Sequence, residues 1–339
     1  MWIVGLGGLV PIELVTYNVL GEFGLIPRPS WYDPTTATVI GLMVFLASMS
    51  IYLSLTYAQL NANLEAKLVE VHELSERTLE QERRAREQEL ARQLLEADNA
   101  RKTRELEEAR ELQLSMLPSS VPSFPGIEIA VYMKTASEVG GDYYDFHANG
   151  DDALTIAIGD ATGHGARAGT MVAATKGLFN VLGSEPDLVG ILRQTSLALK
   201  NMRMGRMYMA LQLARVRDRR VAITSAGMPP ALVYRAATDE VEEVKIPGMP
   251  LGSVPSFPYR REEIELGPGD VVAFMSDGLP EMFNPDREML DYARVREIFR
   301  AAATGAPAEI IERLVAAGEE WAGSRPQDDD VTFVVLKAG

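Results

Sequence analysis

The chain contains no cysteine, which excludes disulfides, thiolate metal sites and a cysteine nucleophile. It has three histidines, His72, His147 and His164, scattered along 339 residues, which argues against a histidine-based zinc site. Positive charge is also short: 33 Lys and Arg stand against 48 Asp and Glu, a net charge of −15. No basic stripe is available to neutralise phosphates, so nucleic acid is not expected as a partner. No basic residue precedes Arg28, and the apolar opening therefore does not read as a cleaved signal peptide. Two further absences are local. Residues 34–64 hold no charged side chain, and residues 61–117 hold neither proline nor glycine.

The uncharged stretch has an apolar centre, Val39 to Leu55, long enough with its flanks to cross a hydrocarbon layer of roughly 30 Å. A membrane helix is expected near Thr36 to Tyr57. A second is expected within Trp2 to Leu20, where Pro11 and Glu13 leave an amphipathic or buried helix as the alternative. Loop charges are too few to orient these helices. The large soluble remainder is expected on the cytoplasmic side of the membrane. Residues 61–117 are dense in Glu and Arg, with apolar positions at Leu64, Leu68, Val71 and Leu74, then Leu90 and Leu94, then Leu106, Ala109 and Leu112. That is helical spacing. The seam lapses around Glu80 to Glu89, so the expectation is a homodimeric coiled coil with a weak centre, or else a single solvated helix.

Three prolines between Leu117 and Gly126 end the helix. The expected organisation is a membrane segment over 1–60, a helical signalling linker over 61–117 and a catalytic domain over 118–339. Within the last, Ile127–Met133 alternates like a strand, and further strands are expected at Leu154–Ile158, Arg206–Val216, Arg220–Thr224, Ala231–Tyr234, Val241–Lys245, Val271–Ser276 and Val331–Leu336. Helices are expected at Ala166–Leu182, Pro186–Met202, Tyr292–Ala303 and Pro307–Ala322. Runs of strands with paired helices make an α+β layered domain. The Pro- and Gly-rich stretch 246–258 reads as a connector or as a semi-rigid flap.

Carboxylates recur at the ends of these strands. Asp142 falls at a turn made by Gly140 and Gly141, and Asp160 ends the run Leu154–Ile158 before a glycine-rich turn. Asp277 follows the strand at 271–276, and Asp328-Asp329-Asp330 precede the last strand. Aspartates at strand ends hold hard cations such as Mg²⁺ or Mn²⁺ through oxygen. Two such ions can activate a water and clamp a phosphoryl group, with no covalent nucleophile required.

The motifs Glu138-Val-Gly-Gly-Asp-Tyr-Tyr-Asp-Phe146, Ile158-Gly-Asp-Ala-Thr-Gly-His-Gly165, Thr224-Ser-Ala-Gly-Met-Pro-Pro230, Ser276-Asp-Gly-Leu-Pro-Glu281 and Asp329-Asp-Val-Thr332 occur in the order found in the PPM family of metal-dependent phosphatases. The chain resembles the SpoIIE-like bacterial branch of that family from about Leu112 to Leu336. The resemblance implies an αββα sandwich with two Mn²⁺ or Mg²⁺ ions at one edge. It also implies hydrolysis of phosphoserine or phosphothreonine on a protein, for which an anti-sigma-factor antagonist or similar small domain is the expected partner. On this pattern Asp160 bridges both ions, Asp277 and Asp329 complete one, and Asp142 with the Ala161 carbonyl completes the other. Asp142 and Asp160 are the catalytic core of this set. Asp330 is the alternative to Asp329, because three consecutive aspartates blur the register. His164 is displaced from the position of the family's histidine and reads as a turn residue, Met228 as packing, and Lys134 as a solvated lysine rather than a phosphate clamp. Leu112-Gln-Leu-Ser-Met-Leu-Pro118 resembles the segment that joins sensor helices to this domain and is thought to switch the metal site. Two alternatives remain: a nucleotide cyclase, since Gly140-Gly-Asp-Tyr-Tyr is similar to a diguanylate-cyclase hairpin, and a catalytically inactive membrane-tethered adaptor.

Overall fold

The computed structural model describes residues 2–136, 139–150 and 152–339, so Glu138, which heads the first motif, lies outside the described residues. The chain divides into two compact units, residues 1–97 and 98–339.

The first unit is helical. Helix α1 spans Trp2–Glu22, and α2 begins at Pro34 and runs without a break to Met116. The membrane stretch and the linker, expected as separate pieces, thus belong to one helix, because no proline or glycine interrupts residues 42–116. Tyr32 fixes the turn between α1 and α2. Its ring meets Tyr17 edge-on at 5.1 Å, and its hydroxyl donates to Asn18 Oδ1 at 2.7 Å. Gly41 faces Leu14 and Pro11 of α1, whereas Leu42, Met43, Leu46, Ile51 and Leu55 are all exposed, so most of the helix circumference is apolar and uncovered. Among the described residues, α2 is the helix long and apolar enough to cross a membrane, by length and composition. Further along it, Arg83–Glu87 and Arg84–Glu80 pair one turn apart on solvent-facing positions. Such pairs support helix formation at a few tenths of a kcal/mol each, roughly.

The second unit is an αββα sandwich. One antiparallel sheet has the order β1-β10-β9-β6-β7, from β1 (Ile127–Lys134), β10 (Val331–Ala338), β9 (Val271–Met275), β6 (Ala231–Arg235) and β7 (Glu240–Val244). The other has the order β2-β3-β4-β5-β8, from β2 (Asp142–Ala148), β3 (Leu154–Ala161), β4 (Met209–Arg217), β5 (Arg220–Ala226) and β8 (Arg261–Glu265). Alternate residues of facing strands, among them Ile156, Ile158, Ile223, Val233, Phe274 and Val334, fill the space between the sheets. The opposite faces are covered too. Helices α3 (Ala166–Leu182) and α4 (Leu188–Asn201) pack Met171, Phe179, Ile191 and Leu192 onto Ala157, Leu211 and Leu213. Helices α5 (Tyr292–Ala302) and α6 (Pro307–Ala322) pack Phe299, Ile310 and Leu314 onto Ala273, Met275 and Phe333. Being buried on both faces, β9 is an unbroken apolar run and β3 and β10 are mostly apolar, and this made them readable.

Two strands escaped the sequence reading. Strand β2, DYYDFHA, carries acids at alternate ends of an aromatic pair and begins at Asp142, which therefore heads a strand rather than occupying the turn. Strand β8, REEIE, is nearly all charge, as suits an edge strand that must resist pairing with another chain.

Candidate active site

The acids collect at one edge of the sandwich because the strand register puts them there. Asp142 and Asp160 are direct partners across the β2–β3 pair. Asp277 leaves the end of β9, and Asp329 leads into β10, which pairs with β9 in the other sheet. The two sheets are tied at this edge by Asp142 itself, whose Oδ2 accepts a 2.6 Å hydrogen bond from Thr332 of β10. Thr332 is held in turn by Ser276, whose hydroxyl accepts from the Thr332 amide at 3.0 Å and donates to the Asp330 carbonyl at 3.3 Å.

Close backbone approach explains the glycines. A Cβ on Gly141 would sit 2.6 Å from the Ala161 carbonyl oxygen and 2.8 Å from Asp160 Oδ1. A Cβ on Gly278, next to Asp277, would sit 1.9 Å from the Asp330 carbonyl oxygen. Neither site can hold a side chain without moving backbone that carries an acid.

The run of three aspartates divides its labour. Asp330 is buried, and its carboxylate is consumed by main chain: Oδ1 accepts from Ala136 at 2.7 Å, and Oδ2 from Gly141 at 2.6 Å and Asp142 at 3.2 Å. It pins the loop that delivers Asp142. Asp328 pairs with Arg325 at the surface, at 2.9 Å. Asp329 accepts from the Asp330 amide at 2.8 Å and lines a cleft of about 270 Å³ together with Asp160, Ala161, Gly163 and His164. Asp277 lies in a neighbouring cleft of about 640 Å³, beside Met228, Glu281 and Tyr292.

These carboxylates are strained electrostatically. Burial pushes Asp142 up to about 8, with the charges of Asp330 and Asp277 adding to it and the Thr332 hydrogen bond opposing. Burial, then the charges of Asp142, Asp277, Asp329 and Asp330, push Asp160 up to about 9. Burial also raises Asp277, helped by Glu281. Asp329 is raised by burial and by Asp277 and Asp330, against its hydrogen bond from the Asp330 amide. Among the described residues no three acid or histidine side chains converge tightly enough to ligate an ion as they are placed. Their chemistry nevertheless fits a hard cation. Among the described residues Asp142 Oδ1 is buried without a hydrogen-bond partner, and oxygen donors with mutual repulsion are the set a divalent ion would relieve.

The remaining candidates fall outside this chemistry. Lys134 is exposed and paired with Glu319 at 3.2 Å. Asp145 is buried against Lys176 at 2.6 Å and accepts from the Tyr143 hydroxyl at 3.0 Å, a structural ion pair. Met228 is buried in the inter-sheet core. The sequence reading missed Gln113. It is buried near the end of α2 and donates from Nε2 to the Gly140 carbonyl at 2.8 Å. The sequence reading had Gln113 only as a member of the Leu112–Pro118 segment, without a role of its own.

Two five-stranded antiparallel sheets packed between two helix pairs, with an acid cluster at one sheet edge, define a PP2C-like phosphatase fold. The PP2C domain of SiaA from Pseudomonas aeruginosa shares this fold with a TM-score of 0.63 and 23% identity, over 72% of this chain and 98% of that domain. Residues 150–339, more than half of the chain, match the family described as Stage II sporulation protein E, and the chain belongs to that SpoIIE family. Among curated relatives, phosphoserine phosphatase RsbU of Bacillus subtilis is 25% identical over 238 residues, 69% of this chain and 70% of RsbU. Protein IcfG of Synechocystis is 22% identical over 262 residues, 68% of this chain, but the match spans 41% of IcfG. The cyclase alternative finds no support in this membership.

Proposed function

We propose that residues 118–339 form a metal-dependent protein serine/threonine phosphatase acting in signal transduction. The observation that carries the reading is the register-fixed pairing of Asp142 with Asp160, buried, mutually repelling and electrostatically coupled to Asp277 and Asp329. Membership of the SpoIIE family supports it. Asp142, Asp160, Asp277, Asp329 and the Ala161 carbonyl would hold two Mn²⁺ or Mg²⁺ ions, which when bound supply an activated water and a charge clamp for phosphoryl oxygens. The chain's own work is positional. Thr332 orients Asp142, Asp330 holds the amides of Ala136, Gly141 and Asp142, and Gln113 holds the Gly140 carbonyl from α2.

The wider assembly belongs to this proposal. The apolar part of α2 anchors the chain in the bacterial inner membrane, with the phosphatase domain in the cytoplasm. The row Leu64, Leu68, Val71 and Leu74, exposed in the single chain, supports pairing of α2 with a second copy. The substrate is a phosphorylated signalling protein, of which an anti-sigma-factor antagonist is one kind. Gln113 gives a signal arriving along α2 a contact with the loop that carries Asp142.

The test is hydrolysis of p-nitrophenyl phosphate by the detergent-solubilised chain with and without Mn²⁺. Product only with metal, and its loss in Asp160→Asn at unchanged folding, is the expected result. Metal-independent turnover, or wild-type rates in that variant, would overturn it.

A further inference from the structure

We propose that the groove between α4 and the 252–259 loop is the docking surface for the peptide flank of the phosphorylated residue, and that it takes an acidic segment bearing an aliphatic side chain. The proposal rests on the phosphatase reading above and names the substrate class that reading leaves open.

The groove has a volume of about 560 Å³ and is lined by Arg193, Leu197 and Lys200 of α4 and by Val254, Phe257 and Tyr259 opposite. Helix α4 buries Leu188, Ile191, Leu192 and Leu199 in the domain core. Leu197 points away from that core and is 63% exposed, with Val254 also exposed across the groove. The chain leaving α4 is Asn201-Met-Arg-Met-Gly-Arg-Met207, where flexible, polarizable methionines alternate with cations. Arg193, Lys200, Arg203 and Arg206 are all exposed, and among the described residues no carboxylate lies within 4.0 Å of any of them. On a chain of net charge −15, Arg193 and Lys200 in the groove wall, neither of them in an ion pair among the described residues, stand beside exposed aliphatic groups, with Arg203 and Arg206 in the chain that follows; this set selects acidic, apolar segments.

The place of the groove supports this occupant. Met209 is the register partner of Ala161, and it exchanges two backbone hydrogen bonds with Leu251, at 3.2 and 2.7 Å. Leu251 leads directly into the groove wall, where Gly252 donates to Ser196 at 3.0 Å and Lys200 donates to the Ser253 carbonyl at 3.0 Å. The loop after α4 is joined to the acid edge as well, by reciprocal bonds between Thr162 and Tyr208 at 3.0 Å each. The groove therefore begins two strand spacings, about 10 Å, from Ala161. An extended peptide covers that distance in about three residues, so recognition falls roughly three to six positions from the phosphoresidue. The wall is firm: the Tyr259 hydroxyl donates to the Met249 carbonyl at 2.9 Å, and the Tyr259 and Phe257 rings meet at 5.0 Å between centroids with a 56° tilt.

The experiment uses the full chain in detergent and two fluorescent phosphoserine peptides. One carries two glutamates and a leucine three to six positions from the phosphoserine on either side, and the other has lysine and serine there. Peptide binding by fluorescence anisotropy is read separately from turnover. The expected result is a preference of about tenfold for the acidic peptide in both Kd and kcat/KM. Leu197→Glu combined with Arg193→Glu should reduce it to within about twofold while p-nitrophenyl phosphate turnover is unchanged. Equal binding of the two peptides by the wild-type chain, or a preference that survives the double substitution, overturns the proposal. So does an effect of Leu197→Glu on sedimentation, or on binding to phosphatidylglycerol vesicles, with peptide binding untouched; these would assign the surface to a second copy or to lipid. Selective binding without cleavage of any substrate would support the docking surface and sink the phosphatase reading instead.

Discussion

Asp329 and Asp330 are adjacent, both acidic and both at the site, yet their replacement by alanine should have opposite consequences. Asp330 accepts three main-chain N–H groups, from Ala136, Gly141 and Asp142. Ala136 is exposed and water can replace its partner, but Gly141 and Asp142 are buried. Each buried donor left without an acceptor costs about 1–3 kcal/mol. Removing a carboxylate that repels Asp142 and Asp160 returns part of this. The net expectation for Asp330→Ala is a loss of roughly 2–4 kcal/mol. For a domain of this size that lowers Tm by roughly 5–15 °C. Asp329 accepts one amide hydrogen bond, from Asp330. Its own pKa is raised, chiefly by burial, so Asp329→Ala also removes a strained charge, and stability should stay within about 1 kcal/mol of wild type. Its metal-dependent turnover should fall by about two orders of magnitude or more. Thermal unfolding by circular dichroism and p-nitrophenyl phosphate hydrolysis on the same detergent-solubilised samples separate the two quantities. A stable, inactive Asp330→Ala beside a destabilised, active Asp329→Ala would refute the division of roles.

Three further outcomes are expected. Asp142 and Asp160 are held above the ordinary carboxylate range, at about 8 and about 9, so the folded metal-free chain keeps protons that the unfolded chain releases near pH 4. Stability is therefore highest at low pH and is lost as pH rises toward those values, by about 1.4 kcal/mol per unit for each proton held. Melting at pH 6 and pH 8 in EDTA should show the decline, Mn²⁺ should reverse it with proton release, and a metal-free Tm that rises over this range would contradict it. Gln113→Ala leaves the Gly140 carbonyl without its 2.8 Å donor and should raise the Mn²⁺ concentration for half-activation several-fold, at a stability cost of about 1–3 kcal/mol; unchanged metal titration would detach α2 from the site. Gly141→Ala, whose Cβ would meet the Ala161 carbonyl oxygen at 2.6 Å, should lose turnover even where circular dichroism shows a folded chain, and near-normal rates would show that the loop is free to shift.

What the sequence made legible follows from how each element is solvated. Strands β3, β9 and β10 lie between a core and a helix layer, so their apolar runs announced them. Helices α3 and α6 matched their expected limits, α6 opening on Pro307, where the missing N–H costs nothing. Strand β8 carried no such mark, because an edge strand facing water is written in charge. Strand β2 was obscured by the acids it exists to present. The site acids were legible as types at strand ends, and the structure brings them to one edge. Their individual roles were not, because Asp328, Asp329 and Asp330 are identical letters. Only backbone direction tells that the last points inward to amides and the first outward to Arg325.

That division also explains why the acid edge can be built at all. Burying like charges is costly unless each has donors or a cation. Asp330 solves this with N–H donors from Ala136, Gly141 and Asp142, and Asp142 solves half of it through Thr332 while its Oδ1 finds no partner among the described residues. Asp160 has no such compensation, and burial and four neighbouring acids push it well above the ordinary carboxylate range. Compensation thus falls along the sequence of β10 inward and is withheld at the β2–β3 pair. The electrostatic cost is concentrated on the two carboxylates that a shared cation would serve best. A device meant only to join the two sheets would have paired Asp160 as fully as Asp145 is paired with Lys176 a few residues away. Placing a cation at Asp160, by Asp160→Lys, should on this argument stabilise the metal-free chain at pH 8 while abolishing turnover. If Asp160→Lys instead unfolds the domain at pH 8, the acid edge is held together by contacts other than those described, and the case for a cation site there fails.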